Sequence, residues 1–243
     1  MLDIIIPTHN HIEYTIQCIE AIKRYTAIPY RITCIDDSTD NLTPQYLESL
    51  KDSLNCKYVY FERTEGNANL NKGLAETESN PCVFMAQNTI VEPYWYNYPL
   101  SIFDEKTIGL IGIKLLYPSG IIEHAGIIQV GDAWADIGRG EPGHRYSYTL
   151  DVPAVGFALV FINRLAFPDG FPEKLYPYGF AGPDDVDICF TIRKQGWRVI
   201  YCGESSAFHI ANAVRTKDEK YYERAEACRK FFISRWGTNG TER

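Results

Sequence analysis

Short apolar runs alternating with stretches of helical spacing fill residues 2–89, and this alternation constrains the fold more than any other feature. Residues 2–6 form an apolar run stopped by Pro7, the pattern of a buried parallel strand. Residues 12–25 then place Ile12, Ile16, Ile19, Ala21 and Ile22 on one helical face. A second run, 30–35, ends abruptly in Asp36, Asp37, Ser38, Thr39, Asp40 and Asn41. Helical spacing over 46–54, a strand-like run at 57–61 and a loop turning into a helix over 67–78, capped by Asn67 or Asn69, come next. The run 81–86 closes on Gln87, Asn88 and Thr89. The order β-α-β-α-β-α-β predicts a parallel sheet with right-handed crossovers. In such sheets ligands bind beyond the carboxyl ends of the strands, where these polar clusters fall.

The second half reads differently. Residues 110–116 and 121–122 flank the turn signal Tyr117-Pro118-Ser119-Gly120 and predict a hairpin. Residues 132–148 mix Gly, aromatic and charged residues without a period, which predicts a long functional loop and a candidate lid. A strand is expected at 152–163, a helix at 185–195, a strand at 197–202 and a closing helix at 221–236. The expected organisation is one α/β domain over 1–243: an alternating half (1–90), an irregular half (91–210), and a C-terminal flexible segment with the closing helix (211–243).

Bulk composition excludes several classes. Lys and Arg number 24 against 31 Asp and Glu, a net charge of −7, so neither nucleic acid nor an anionic membrane surface is an expected partner. The seven cysteines are widely spaced and form no CxxC pair. This argues against a disulfide framework or structural zinc and for small buried side chains in a reducing compartment. No stretch reaches the length of a membrane helix, and the first residues lack the basic start of a signal peptide, so a cytoplasmic protein is expected.

Five pieces in order carry a resemblance: Pro7-Thr8-His9-Asn10 after the first strand; Ile35-Asp36-Asp37-Ser38-Thr39-Asp40; Asn71-Lys72-Gly73; Phe84-Met85-Ala86-Gln87-Asn88-Thr89; and the run from Gly182 through Asp184, Asp185, Val186 and Asp187 to Tyr201. Together, from about residue 2 to residue 209, they resemble inverting glycosyltransferase family two, whose members have the GT-A fold. They are closest in style to bacterial enzymes that build surface polysaccharides. The resemblance implies a Rossmann-like domain with a mostly parallel central sheet flanked by helices, in which 1–90 is the nucleotide-binding half and 91–210 a β/loop half on the acceptor side. It further implies transfer of a sugar from a nucleoside-diphosphate donor, UDP or dTDP favoured, to a glycan, lipid-linked or protein hydroxyl.

Residue roles follow from the resemblance. Asp36 and Asp37, with Pro7, Thr8 and Asn10, match the nucleoside grip; a carboxylate can accept the imide N–H of uracil or thymine. Asn67, Asn71 and Gly73 match the stretch lying along the nucleotide–sugar, and Gln87 and Asn88 the strand end facing the diphosphate. Relatives carry an Asp there that binds Mg²⁺ or Mn²⁺. This chain has Asn88, with His209 as the second candidate ligand, so metal binding is expected to be weak, rearranged or absent. Arg215 matches a segment that closes over the diphosphate. Asp185 matches the general base, and Asp184, Trp134 and Tyr178 are acceptor-side candidates, with Tyr176, Phe180 and Trp197 as further aromatic platforms. His124 and His144 fall in stretches typical of the bacterial subgroup. Three rival readings stand beside this one: a non-catalytic binding module that has lost its metal motif, a nucleotidyltransferase, and a metal-dependent hydrolase. The nucleotidyltransferase lacks its Gly-rich basic loop here, and the hydrolase lacks closely spaced ligands.

Overall fold

The computed structural model describes residues 1–51, 55–62, 68–130, 133–172, 183–210 and 221–237. The first part runs β1 (Leu2–Thr8), α1 (Ile12–Tyr25), β2 (Tyr30–Asp36), α2 (Leu42–Ser49), β3 (Cys56–Tyr60), α3 (Ala68–Ala75) and β4 (Cys82–Met85), which is the expected alternation. Then come β5 (Thr89–Val91), α4 (Asn97–Ile102), β6 (Ile108–Leu116), β7 (Ile122–His124), β8 (Ile127–Val130), β9 (Ala133–Asp136), β10 (Thr149–Asp151), β11 (Leu159–Ile162), α5 (Asp184–Lys194), β12 (Arg198–His209) and α6 (Tyr221–Trp236).

One ten-stranded sheet runs through both halves in the order β10-β12-β6-β11-β4-β1-β2-β3, with β5 added on β12 and β7 on β6. Strands β4, β1, β2 and β3 are parallel neighbours, and β12 is parallel to β6. Between the two blocks lies β11, antiparallel to both β4 and β6. All nine residues of β6 are buried, as expected of a strand covered on both faces. Side chains of β1 alternate between the two layers: Ile5 joins the core that holds α3 and α5, while Ile4 and Ile6 join the core beneath α1. Helix α3 lies so close to β1 that a Cβ on Gly73 would stand 2.3 Å from Ile5 Cγ2.

Several stretches differ from expectation. Helix α2 begins at Leu42 rather than 46, because the Asp40 carboxylate accepts the Thr43 N–H at 2.7 Å and its hydroxyl at 3.1 Å, starting the helix early. Residues 133–136, expected as loop, pair with β8 in a two-stranded sheet. In the stretch expected as a strand over 152–163, only 159–162 are strand. Residues 152–158 instead thread past the strand ends, with Val152 N–H donating to Val199 O and the Thr89 hydroxyl to Ala158 O. All seven cysteines are buried and none is in a disulfide. Among the described residues no helix is long and apolar enough to cross a membrane.

Candidate active site

The polar clusters collect at the carboxyl ends of β1, β2 and β4. After the buried Thr8 the chain turns through Asn10 and His11, both at positive φ (51° and 53°); asparagine and histidine are among the non-glycine residues that enter this region most readily. Asn10 uses its side-chain oxygen to accept the N–H groups of Thr39 (2.8 Å) and Asp40 (3.0 Å), and its own N–H donates to Ser38 Oγ at 2.7 Å. Gln87 ties the end of β4 to the same turn: it accepts the His9 N–H at 2.6 Å and donates to Asn10 O at 2.8 Å. In this structure Asn10 and Gln87 therefore brace the loops against each other.

The two neighbouring aspartates hold different positions. Asp36 is fully buried, and its oxygens accept the Ser38 N–H at 3.0 Å and the Tyr58 hydroxyl at 3.1 Å. Burial, followed by the Asp36 charge, pushes the Tyr58 phenol up to about 12, so Tyr58 remains a donor. Asp37 instead pairs with His9, Nδ1 to Oδ1 at 2.9 Å. Pro7 and Thr8 are the last residues of β1, paired with Ile35 and Asp36 of β2.

At the far end of β4, Asn88 Nδ2 lies 3.2 Å from His209 Nε2 and donates to Ile210 O at 2.9 Å. His209 Nδ1 lies 2.8 Å from Glu123 Oε2 on β7. The next residue on β7, His124, serves the other side of the site. Its Nε2 accepts the N–H groups of Gly156 (3.0 Å) and Gly126 (3.3 Å), and its Nδ1 meets Asp136 Oδ1 at 2.7 Å. With Nε2 accepting, Nδ1 carries the proton and donates to Asp136. Burial alone would raise the Asp136 carboxyl, but hydrogen bonds from His124 and Arg139 bring it below its ordinary value.

Gly156 links this histidine to the predicted base. A Cβ there would lie 3.7 Å from His124 Cε1 and 3.8 Å from Asp185 Oδ2. Asp185 stands in the first turn of α5, with Asp184 and Asp187, where the helix dipole favours negative charge. Its Oδ1 accepts the Val186 N–H at 2.8 Å. Asp187 points elsewhere: fully buried, it accepts the Trp236 indole N–H at 2.8 Å and so latches α6 onto α5.

Other predicted residues lie further out. Asn71 clasps the backbone of Phe171, donating to its carbonyl at 2.8 Å and accepting its N–H at 2.7 Å. Gly73 faces the sheet. Trp134 packs edge-on against Phe190 at 4.8 Å, Trp197 packs against the core, and His144 is exposed. Asn67, Tyr176, Tyr178, Phe180 and Arg215 lie outside the described residues. His9, Glu123 and Asp136 were not among the expected site residues. Only His9 had a local signal, its place in Pro-Thr-His-Asn; Glu123 meets His209 from 86 residues away.

The strand order and the strand-end cluster define an α/β protein of the GT-A type, and comparison with solved structures bears this out. GalNAc-T7 with UDP, GalNAc and Mn²⁺ superposes with a TM-score of 0.71 at 16% identity, covering 91% of this chain and 45% of that one. The mannosyltransferase PcManGT from Pyrobaculum calidifontis, in complex with GDP-Man and Mn²⁺, gives 0.64 at 13%, covering 88% and 57%. S. aureus TarS with UDP-GlcNAc gives 0.61 at 19%, covering 96% and 66%. In sequence, residues 3–119 match the family model "Glycosyl transferase family 2". The O-antigen biosynthesis protein RfbC of Myxococcus xanthus is 26% identical over 161 residues, 61% of this chain and 12% of that protein. The protein y4gI of Sinorhizobium fredii is 24% identical over 257 residues, 98% and 28%. This chain thus spans little more than a quarter of the longer match and an eighth of the other.

The metal seen in two of these complexes finds a poor donor set here. Among the described residues no three His, Cys, Asp or Glu converge in a way that could hold an ion. At the end of β4 an amide nitrogen faces His209, and the nearby Glu123 carboxylate is taken up by His209.

Proposed function

We propose that this chain transfers a glycosyl group from a nucleoside-diphosphate sugar to a hydroxyl acceptor, with inversion and with Asp185 as general base. The observation that carries the reading is the join made by β7. Glu123 holds His209 beside Asn88 at the end of β4, while His124 holds Gly156 beside Asp185. The nucleotide-side strand end and the acidic turn of α5 are thereby tied to one short strand. The sugar-nucleotides named with the structural relatives support the donor class, and the family match supports the reaction.

In the proposed step the acceptor oxygen attacks the anomeric carbon, Asp185 takes its proton, and the bond from that carbon to the phosphate oxygen breaks, releasing nucleoside diphosphate. The base must lie within about 3 Å of the hydroxyl. Asp37, oriented by His9, is the proposed acceptor for the imide N–H of a uracil or thymine, which favours UDP or dTDP as carrier. The acceptor is a glycan, lipid-linked intermediate or protein; the name of RfbC favours a polysaccharide. The proposed site of action is the cytoplasm.

Two measurements test this. Thermal-shift titration with UDP, dTDP, GDP and CDP should raise the melting temperature with a uridine or thymidine nucleotide in preference to the others. Asp185→Asn should abolish turnover while leaving that shift intact; loss of nucleotide affinity in the variant would remove Asp185 from the role of base. A second reading, a non-catalytic nucleotide-binding module, is favoured by Asn88, an uncharged amide where the family resemblance implies an acid. Nucleotide binding with no transfer to any acceptor, in a protein that also fails to hydrolyse the donor, would select it.

A further inference from the structure

The hydrogen bonds around Asn88 fix which way its amide points. Ile210 O can only accept, and it receives Asn88 Nδ2 at 2.9 Å. His209 Nδ1 faces the Glu123 carboxylate at 2.8 Å, another pure acceptor, so the imidazole proton sits on Nδ1 and Nε2 presents a lone pair. That lone pair lies 3.2 Å from the same Asn88 Nδ2. One NH₂ group therefore satisfies two acceptors, a carbonyl oxygen and an imidazole nitrogen. The main chain closes the arrangement, with Ile210 N–H donating to Asn88 O at 3.0 Å. Asn88 and Glu123 are buried, and His209 nearly so.

A carboxylate at position 88 would reverse this. Its oxygen would oppose Ile210 O and the His209 lone pair at similar distances, three acceptors with no hydrogen between them. Convergent oxygen and imidazole lone pairs are what a divalent cation requires. We infer that the Asn88 carboxamide stands in for the cation: the end of β4 is built to be metal-free, and nucleoside diphosphate binds this chain without a divalent ion. The second half of that statement rests on the nucleotide-binding reading above; the first does not.

The test separates the two. Mn²⁺ alone is titrated against the wild-type protein, Asn88→Asp and His209→Ala, and bound ion is read by electron paramagnetic resonance. Asn88→Asp is expected to bind Mn²⁺ about tenfold or more tightly than wild type, because the added charge completes the donor set. Mn²⁺ bound by the wild type and lost in His209→Ala would overturn the inference. So would an Asn88→Asp protein with native circular dichroism and no gain in Mn²⁺ affinity. If Asn88→Asp fails to fold, the wild-type and His209→Ala titrations still decide. UDP, dTDP, GDP and CDP are then titrated with EDTA or with Mn²⁺. The nucleotide that binds should do so equally, within about twofold, in both conditions, and a tenfold loss in EDTA would overturn metal-free binding. Failure of all four nucleotides in both conditions would sink the proposed function, leaving the Mn²⁺ titration to judge the site.

Discussion

Asp3 opens β1 fully buried, and its carboxylate receives the Glu78 N–H at 2.8 Å, the Ser79 N–H at 2.7 Å and the Arg31 guanidinium at 2.8 Å. Burial alone would raise this carboxyl, but those donors outweigh it, so the folded value lies below the ordinary 3.8. The stability it contributes is complete above that ordinary value and is lost as pH falls toward and through the lower folded one. Asp3→Ala should cost about 3 kcal/mol at neutral pH in urea unfolding. It should also flatten the fall of stability with acid below about pH 4; an unchanged acid limb would remove Asp3 from that role. His124 calls for a different outcome. Its replacement by Ala orphans the N–H groups of Gly126 and Gly156, at a cost of about 2 kcal/mol, and frees the segment under Asp185. Turnover should fall with nucleotide affinity unchanged, and a rise in nucleotide Kd instead would place His124 on the donor side. At this scale the sequence showed which residue types cluster, but not their division of labour. Asp36 and Asp37 are adjacent and chemically identical; a Tyr58 hydroxyl on the next strand and a His9 ring just past the end of β1 separate their positions. Such partners arrive through pairing; the place of His9 in Pro-Thr-His-Asn gave a local signal, but nothing local said which aspartate it would meet.

Helix α1 was legible to its end residues because one apolar stripe, Cys18, Ile19 and Ile22, faces the sheet and nothing interrupts it. Strand β12 was legible only to residue 202. Beyond it Gly203, Glu204 and Ser205 break the apolar run, and the pairing with β6 shifts register there before resuming at Ser206. Reading polarity along the chain, a bulge looks like an ending. That extension delivers His209 to Asn88, a pair that came from the family resemblance and not from the strand pattern. Two element contacts invite tests. Gly73→Ala drives a methyl into Ile5, itself without exposure, and should cost about 1–3 kcal/mol. A cost near zero in chemical denaturation would mean that α3 slides freely over β1. Trp236→Phe keeps an aromatic ring, smaller than the indole, but deprives buried Asp187 of its indole donor. It should cost about 1–2 kcal/mol, read by the same method, with α6 losing amide protection before the sheet.

Over the whole molecule, the parallel block was foreseen and the mixed block was not. The alternation over residues 2–89 specifies β4-β1-β2-β3 by rules of connection. Nothing comparable says that β11, late in the chain, inserts antiparallel between β4 and β6. The span that matches the family model, 3–119, is thus a unit of sequence whose strands β4 and β6 take their partners from beyond it. A fragment ending at residue 119 would leave both with open hydrogen-bonding edges. It should appear in the insoluble fraction or as large aggregates on size exclusion; a monomeric fragment with cooperative melting would show the seam to be dispensable. The same seam sets a schedule during synthesis. As the chain emerges from the ribosome, β4 and then β6 appear well before β11, and β12 later still, so two apolar edges wait for a strand not yet made. Nascent chains paused in that interval should be the form of this protein that holdase chaperones capture, and translation past β12 should release them.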